Sequence, residues 1–240
     1  MNKKNNVSPW AWVPSLYFAE GLPYAIVITV STIMYKNLGL SNSAITFYTG
    51  WLYLPWVIKP FWSPFVDNIR TKRFWVVITQ LLMGVLIASV GLTLPAGNFV
   101  RWSLIFFWLI AFSSATHDIA ADGFYMLGLD THNQSFFVGI RNTFYRIASI
   151  SAQGGLVYLS GFLINRDMDV KNAWTIILIG TGIIYFSIGI YHKFILPKPY
   201  SDPSKTLHGA KESIERYFST FISFFKRKNL LIFLLFILLS

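Results

Sequence analysis

Trp102-Ser-Leu-Ile-Phe-Phe-Trp-Leu-Ile-Ala-Phe-Ser-Ser-Ala115 runs without a charge into Thr116-His-Asp-Ile-Ala-Ala-Asp-Gly123. The first part is apolar enough to lie in lipid. The second part places a histidine and two carboxylates where lipid does not tolerate them. On a helix Asp118 and Asp122, four residues apart, point the same way, with His117 beside them. Ionisable groups at membrane depth are costly and face a bundle interior or a wet cavity. The stretch therefore reads as one wall of a polar pathway inside an all-α integral membrane protein.

Composition agrees. Of 240 residues, 54% are hydrophobic and only 12% charged, against roughly 25% charged in a soluble domain. Aromatics make up 18%, many of them at the ends of apolar runs, as interfacial belts require. The absence of cysteine excludes disulfides and thiol chemistry. The basic start, Met1-Asn-Lys-Lys4, is not followed by a short apolar core and a small-residue cleavage site, so the first hydrophobic segment reads as a retained span.

The apolar runs predict six spans. Span 1 covers about Trp10 to Met34 and contains Glu20-Gly-Leu-Pro23, a carboxylate beside two helix breakers. Span 2 covers about Ala44 to Val66 and carries Lys59-Pro60 and Pro64 toward its end. Spans 3 to 6 cover about Phe74 to Leu94, Arg101 to Leu127, Phe136 to Ile164 and Ala173 to Phe194. Residues 1–195 are expected to form a six-helix bundle. Residues 196–228 are expected to form a basic cytoplasmic linker with an amphipathic surface helix, in which Tyr217, Phe218 and Ile222 recur at helical spacing opposite Lys211, Glu212 and Glu215. Residues 229–240 read as the cut-off start of a seventh span, because about ten apolar residues cannot cross roughly 30 Å of hydrocarbon.

The net charge of +10 follows position. With the N-terminus inside, the inner segments hold thirteen basic residues: Lys3, Lys4, Arg70, Lys72, Arg73 and eight more from Lys193 to Lys228. The outer loops hold four: Lys36, Arg101, Arg166 and Lys171. The positive-inside rule then places the N-terminus in the cytoplasm. The excess serves topology and anionic headgroups, and nucleic-acid binding is not expected. Three basic residues, Lys59, Arg141 and Arg146, remain within spans, matched by Glu20, Asp118 and Asp122. An unpaired buried charge costs several kcal/mol, so these six are expected to neutralise one another within the bundle.

Acids partly removed from water hold a proton near neutral pH. Glu20, Asp118 and Asp122 are therefore candidates for proton coupling, with static ion pairing as the plain alternative. Arg141 suits an anionic substrate, since guanidinium grips carboxylate or phosphate at two points, and Asn142 lies beside it. Five residues place Arg146 well round the helix from Arg141. His117 is a candidate for proton relay or substrate contact, with a hydrogen-bonded bystander as the plain alternative. Metal binding would need further ligands at suitable spacing, and none is visible. No cofactor is expected. Ala19-Glu-Gly-Leu22 resembles Ala121-Asp-Gly-Phe124, which suggests a repeat of three helices, each unit bringing an acid beside a backbone-flexing glycine.

Lys59-Pro-Phe-Trp-Ser-Pro-Phe-Val-Asp-Asn-Ile-Arg-Thr-Lys-Arg-Phe-Trp75 resembles the signature loop between spans 2 and 3 of the major facilitator superfamily. The form with Lys-Pro, Trp-x-Pro and then Asp is similar to the AmpG-like muropeptide permeases and their acetyl-CoA transporter relatives. His117-Asp-Ile-Ala-Ala-Asp122 and Phe18-Ala-Glu-Gly-Leu-Pro-Tyr24 resemble that subgroup's spans 4 and 1. The usual glycines of the loop are missing here, and His117 stands where glutamine is common. The resemblance implies the N-terminal half of a larger permease, made of two three-helix units. It implies alternating access against a C-terminal bundle and proton-coupled import of cell-wall sugar-peptides across the cytoplasmic membrane. It also implies substrate contacts from Tyr24, His117, Arg141, Asn142 and Arg146, and a cytoplasmic gate of Lys59, Asp67, Arg70, Lys72 and Arg73. The alternatives are a permease for another organic anion, a membrane enzyme using His117 and Asp118, and a non-transporting sensor. The expected partners are lipid, protons, a small polar or anionic solute and the C-terminal bundle.

Overall fold

The computed structural model describes residues 7–199 and, beyond them, 202, 212, 215, 217–219 and 222. Every regular element among the described residues is helical. Five helices are long and apolar enough to cross a membrane: α1 (Pro9–Asn37), α3 (Lys72–Thr93), α4 (Phe99–Gly128), α5 (Thr131–Ile164) and α6 (Val170–Ile195). Together they define a multi-pass helical membrane protein. Residues 42–68, called α2 here, differ from the single span expected. They form three short α-helical pieces joined by 3-10 turns at Gly50–Tyr53 and Lys59–Phe61. Pro55, Pro60 and Pro64 each open a new piece, because proline lacks the N–H a continuing helix needs but fits its first turn. Of the amphipathic stretch, the described residues Glu212, Glu215, Tyr217, Phe218, Ser219 and Ile222 are helical. Most of that stretch, and all of residues 229–240, lie outside the described residues.

Side-chain caps fix where the helices start. Thr71 Oγ1 accepts from the Phe74 N–H, Asp130 Oδ1 from Asn133, and Asp169 Oδ2 from Lys171 and Asn172. Each supplies an acceptor for a first-turn N–H that has no partner within the helix. Two helices carry π-turns, α1 at Ile26–Val30 and α5 at Ser151–Leu156, and these turns lie against each other. π-turns recur at functional sites because they locally widen a helix.

The closest packing joins α3 to α6 through small residues. A Cβ added to Gly182 would stand 2.6 Å from the Gly84 carbonyl oxygen, and one on Gly84 would stand 2.7 Å from Phe186. Between lipid-embedded helices such small residues allow the dispersion contact that replaces the hydrophobic effect. α3 also packs on α4, and α1 packs on both α4 and α5. The buried apolar side chains form two clusters, one around Ile26, Met34, Ile87 and Trp174, the other around Trp12, Tyr17, Phe124 and Phe137. α1 passes from the second cluster at Tyr17 to the first at Ala19, and α4 passes from the first at Ala111 to the second at Ala120. Glu20 and Asp118 therefore sit at the seam between two apolar cores. α5 is the least covered helix: 17% of its apolar window is buried, against 67% for α1.

Candidate functional site

At that seam four helices bring charge together. Asp122 Oδ1 of α4 lies 3.0 Å from Arg141 Nη2 of α5 and accepts a hydrogen bond from Tyr17 of α1 at 3.1 Å. The Arg141 guanidinium lies over the Tyr17 ring at 4.6 Å and near the Tyr125 ring at 5.2 Å, within cation–π range. Asp118 Oδ2 pairs with Lys59 Nζ of α2 at 3.5 Å. Glu20 is buried, and its Oε2 has no hydrogen-bond partner among the described residues. The expected mutual neutralisation is thus present for two pairs. Arg146 stays outside it: the side chain is exposed, with no ion pair among the described residues. Asn142 is exposed as well. Lys59, counted by sequence both among the in-span charges and in the expected gate, stands in the acid cluster.

Tyr24 is half-buried among rings. Its centroid lies 5.1 Å from Trp56 and 6.5 Å from both Tyr53 and Tyr145. This aromatic wall faces the same interior as the acids, since Tyr24 follows Glu20 by one helical turn. His117 is fully buried, with Nε2 2.9 Å from Gln80 Nε2 of α3. Its surroundings match the hydrogen-bonded alternative weighed for it. Glu20, His117 and Asp118 each place one oxygen or nitrogen within 4.8 Å of the other two. Sequence spacing did not suggest this grouping of potential cation ligands, because Glu20 comes from another helix. The Lys59 ammonium already supplies a cation beside Asp118, and we assign no metal there. A separate concavity of about 580 Å³ lies near the start of α4, lined by Tyr48, Asn98, Phe99, Arg101, Leu104 and Trp108. None of the acid cluster lines it.

The glycines beside the acids give clearance rather than flexure. A Cβ on Gly21 would meet the Tyr145 carbonyl oxygen at 2.6 Å, and one on Gly123 would meet Lys72 Cε at 2.8 Å. Both have α-helical neighbours on either side. Gly123 leads to the second group of polar residues. The Lys72 stem crosses over it, and its ammonium pairs with Asp67 at the end of α2. Arg73 donates to the Lys193 and Leu196 carbonyl oxygens at the end of α6. Asp202 accepts from the backbone N–H groups of Lys72 and Arg73 at 2.8 and 3.2 Å. Beside the Thr71 cap, the Asp202 carboxylate thus meets the positive end of the α3 dipole. Arg70 turns the loop through a positive φ of 64°, and its guanidinium lies 5.7 Å from the Phe74 ring centre.

Sequence reasoning missed Tyr17, Gln80, Tyr145, His192 and Asp202. Gln80 and His192 had a usable signal, since each is a polar side chain in an otherwise apolar run. Asp202 had none, because nothing in a polar linker says which helix end it will reach.

A bundle of lipid-length helices closed around paired charges and an aromatic wall defines a polytopic membrane protein with a polar interior. The chain belongs to the BT1 family, whose model matches residues 19–240, and its sequence is similar to proteins named as AmpG transporters and anhydromuropeptide permeases. A Rickettsia conorii relative bearing the name AmpG 4 is 23% identical over 221 residues, covering 89% of this chain and 51% of that protein. The anhydromuropeptide permease of Escherichia coli K12 is 30% identical over 157 residues, covering 60% of this chain and 30% of that protein. The chain spans about half the length, or less, of these relatives.

Proposed function

We propose that this chain forms the N-terminal half of a proton-coupled importer of cell-wall sugar-peptides. Its six crossings are α1 to α6. The segmented α2 fits the sixth, since 27 residues (42 through 68) at about 1.5 Å each rise roughly 40 Å, more than a bilayer core of about 30 Å. The two three-helix units are α1–α3 and α4–α6, and α1 and α4 each bring an acid to the interior. The N-terminus lies in the cytoplasm of a cell bounded by this inner membrane, and a C-terminal bundle covers the exposed side of α5.

The observation that carries the reading is the arrangement at the seam. Three acids from two helices meet two basic residues from two others, beside the rings of Tyr24, Tyr53, Trp56 and Tyr145. Flat aromatic faces suit sugar rings. Arg141 and Lys59 suit the carboxylates of a peptide stem, and they become available when the acids take up protons. Protonation of the acids then favours cargo binding at the basic residues, and this positive coupling is the elementary requirement of symport. The anhydromuropeptide named for the Escherichia coli relative has both sugar and carboxylate parts, which makes it the first cargo to try.

The test is uptake of radiolabelled anhydromuropeptide by the complete protein in proteoliposomes under an imposed pH gradient. Accumulation is expected for the wild type and should be lost in Asp118→Asn and Asp122→Asn. Full gradient-driven accumulation in both variants would overturn proton coupling by these residues. Uptake of sugar phosphates or nucleotide thioesters in place of the sugar-peptide would overturn the cargo.

A further inference from the structure

The concavity at the start of α4 lies apart from the acid cluster. It holds about 580 Å³, within the range of about 300–1,000 Å³ typical of small-molecule sites. Ile105 on its wall is 43% exposed, so it opens to the surroundings of the bundle rather than into the core. Its lining changes character along α4. Asn98 and Arg101 come first, and Leu104, Ile105 and Trp108 follow, with Tyr48 of α2 on the other side. From residue 98 to residue 108 a helix rises roughly 15 Å at about 1.5 Å per residue. That is half of a hydrocarbon core of about 30 Å, the depth of one leaflet.

Four basic side chains belong to this end of the bundle, and three of them are engaged. Lys36 donates to Asn42 Oδ1 at 2.7 Å. The Arg166 guanidinium lies 4.4 Å from the Phe162 ring centre, and the Lys171 ammonium lies 5.0 Å from that of Phe99. Arg101 has no ion pair, hydrogen bond or ring contact among the described residues. The Asn98 amide and the Tyr48 hydroxyl likewise have no hydrogen-bond partner among the described residues. No acidic side chain lines the cavity. Three side chains able to donate, one of them cationic, therefore open onto one space above an apolar wall. The first piece of α2, Asn42–Thr49, buries only Ile45, so the bundle itself covers little of that side.

We propose that this cavity binds an anionic phospholipid from the leaflet at which α4 starts. The Arg101 guanidinium grips the phosphodiester at two points, and Asn98 and Tyr48 donate to its remaining oxygens. One acyl chain lies along α4 against Leu104, Ile105 and Trp108 and fills the gap beside the first piece of α2. The order of polarity along the cavity is that of a lipid, head at the interface and tail toward the midplane. A free phosphate would leave the apolar wall bare, and a fatty chain alone would leave the three donors unanswered. A headgroup amine would find no carboxylate there, which favours a lipid with net negative charge over a zwitterionic one. Trp102, 50% exposed one residue beyond Arg101, suits the headgroup level. Under the orientation proposed above the leaflet is the outer one. The site itself requires only that the bundle crosses a membrane.

Native mass spectrometry of the complete protein, released from detergent holding equimolar phosphatidylglycerol and phosphatidylethanolamine, counts the retained lipid. Phosphatidylglycerol is expected to be retained in preference. Arg101→Gln should reduce its retention about tenfold, the loss of a charge-assisted contact, and Leu104→Trp should reduce it by filling the cavity. Arg166→Gln, a cation at the same end but away from the cavity lining, should leave it unchanged. Brominated phosphatidylglycerol should quench the fluorescence that wild type has and Trp108→Phe lacks, and Arg101→Gln should abolish that quenching. Equal retention of the two lipids, unchanged retention in Arg101→Gln or in Leu104→Trp, or an equal loss in Arg166→Gln would overturn the site. Displacement of the lipid by excess inorganic phosphate would show a plain anion site, and displacement by anhydromuropeptide a cargo subsite; either would overturn the lipid assignment. The measurement involves neither flux nor sidedness. Failure of gradient-driven uptake, or a reversed orientation, therefore defeats the transport reading and leaves this result standing.

Discussion

Tyr185 donates its hydroxyl to the Ala19 carbonyl oxygen at 2.6 Å. Ala19 is the residue whose carbonyl would accept from position 23 in an unbroken helix, and Pro23 has no N–H to give. In lipid an unsatisfied backbone group is costly, and broken helices survive only where a neighbour repairs them. Here α6 repairs α1 next to Glu20, so the break and the acid share one support.

Removing that hydroxyl should therefore cost stability only while the proline is present. Tyr185→Phe is expected to destabilise the protein by about 1–3 kcal/mol, the penalty for a buried acceptor left unpaired. Pro23→Ala restores the backbone donor, so the double variant should recover most of the loss. Unfolding midpoints of the four proteins in detergent form the cycle. Additive losses would mean the tyrosine contributes by packing alone.

The pair Arg141–Asp122 is open enough to water that its contribution to stability should be small, with side-chain exposures of 28% and 49%. Pairs of that exposure contribute about 0–1 kcal/mol. Arg141→Gln is thus expected to leave the unfolding midpoint nearly unchanged while reducing sugar-peptide affinity about tenfold or more, the loss of ~1.4 kcal/mol of binding. Titration calorimetry of cargo against the purified variant separates the two effects. A large loss of stability with unchanged affinity would assign the arginine to structure.

What could be read in advance divides by the range of the physics. Spans 1 and 3 to 6 were legible because each is a long apolar run, and the acids stood out because lipid makes them expensive. The segmented course of α2 was hinted at by Pro55, Pro60 and Pro64, but hydropathy averages over such breaks. Glu20, Asp118 and Asp122 were legible as a set. Their partners were not, since pairing Lys59 with Asp118 rather than with Asp67 depends on how helices are rotated. The roles of Gly21 and Gly123 were misread for the same reason: clearance against Tyr145 and Lys72 exists only once those neighbours arrive.

Outside the lipid-length segments, Asp130 opens α5. The Asn133 N–H, donating at 2.8 Å, holds its carboxyl below the usual carboxylate range. A depressed carboxyl stabilises its cap above the unfolded value of about 3.9 and loses that contribution as pH falls through the lower folded value. The first turn of α5 should therefore stay closed at neutral pH and fray only in acid below about pH 4. Amide exchange at Asn133 measures this. Asp130→Asn keeps a capping oxygen and should remove the acid dependence while leaving protection near neutral pH in place.

Gly123 and Lys72 tie the interior to the loop below it. A Cβ at position 123 would press on Lys72 Cε at 2.8 Å, and that lysine is the partner of Asp67. Because the obstacle is a flexible stem, Gly123→Ala should cost little stability, about 1 kcal/mol or less once the side chain gives way. Its consequence should appear at the loop, where the displaced ammonium leaves Asp67. Gly123→Ala and Asp67→Asn should then change the alkylation rate of a cysteine placed at Asn68 in the same direction, and the double variant should add nothing further. Independent effects would separate the two residues and leave the Lys72 stem as packing. If the coupling holds, a change in the rotation of α4, which carries Asp118 and Asp122, would reach Asp67 through one lysine side chain and no intervening backbone motion.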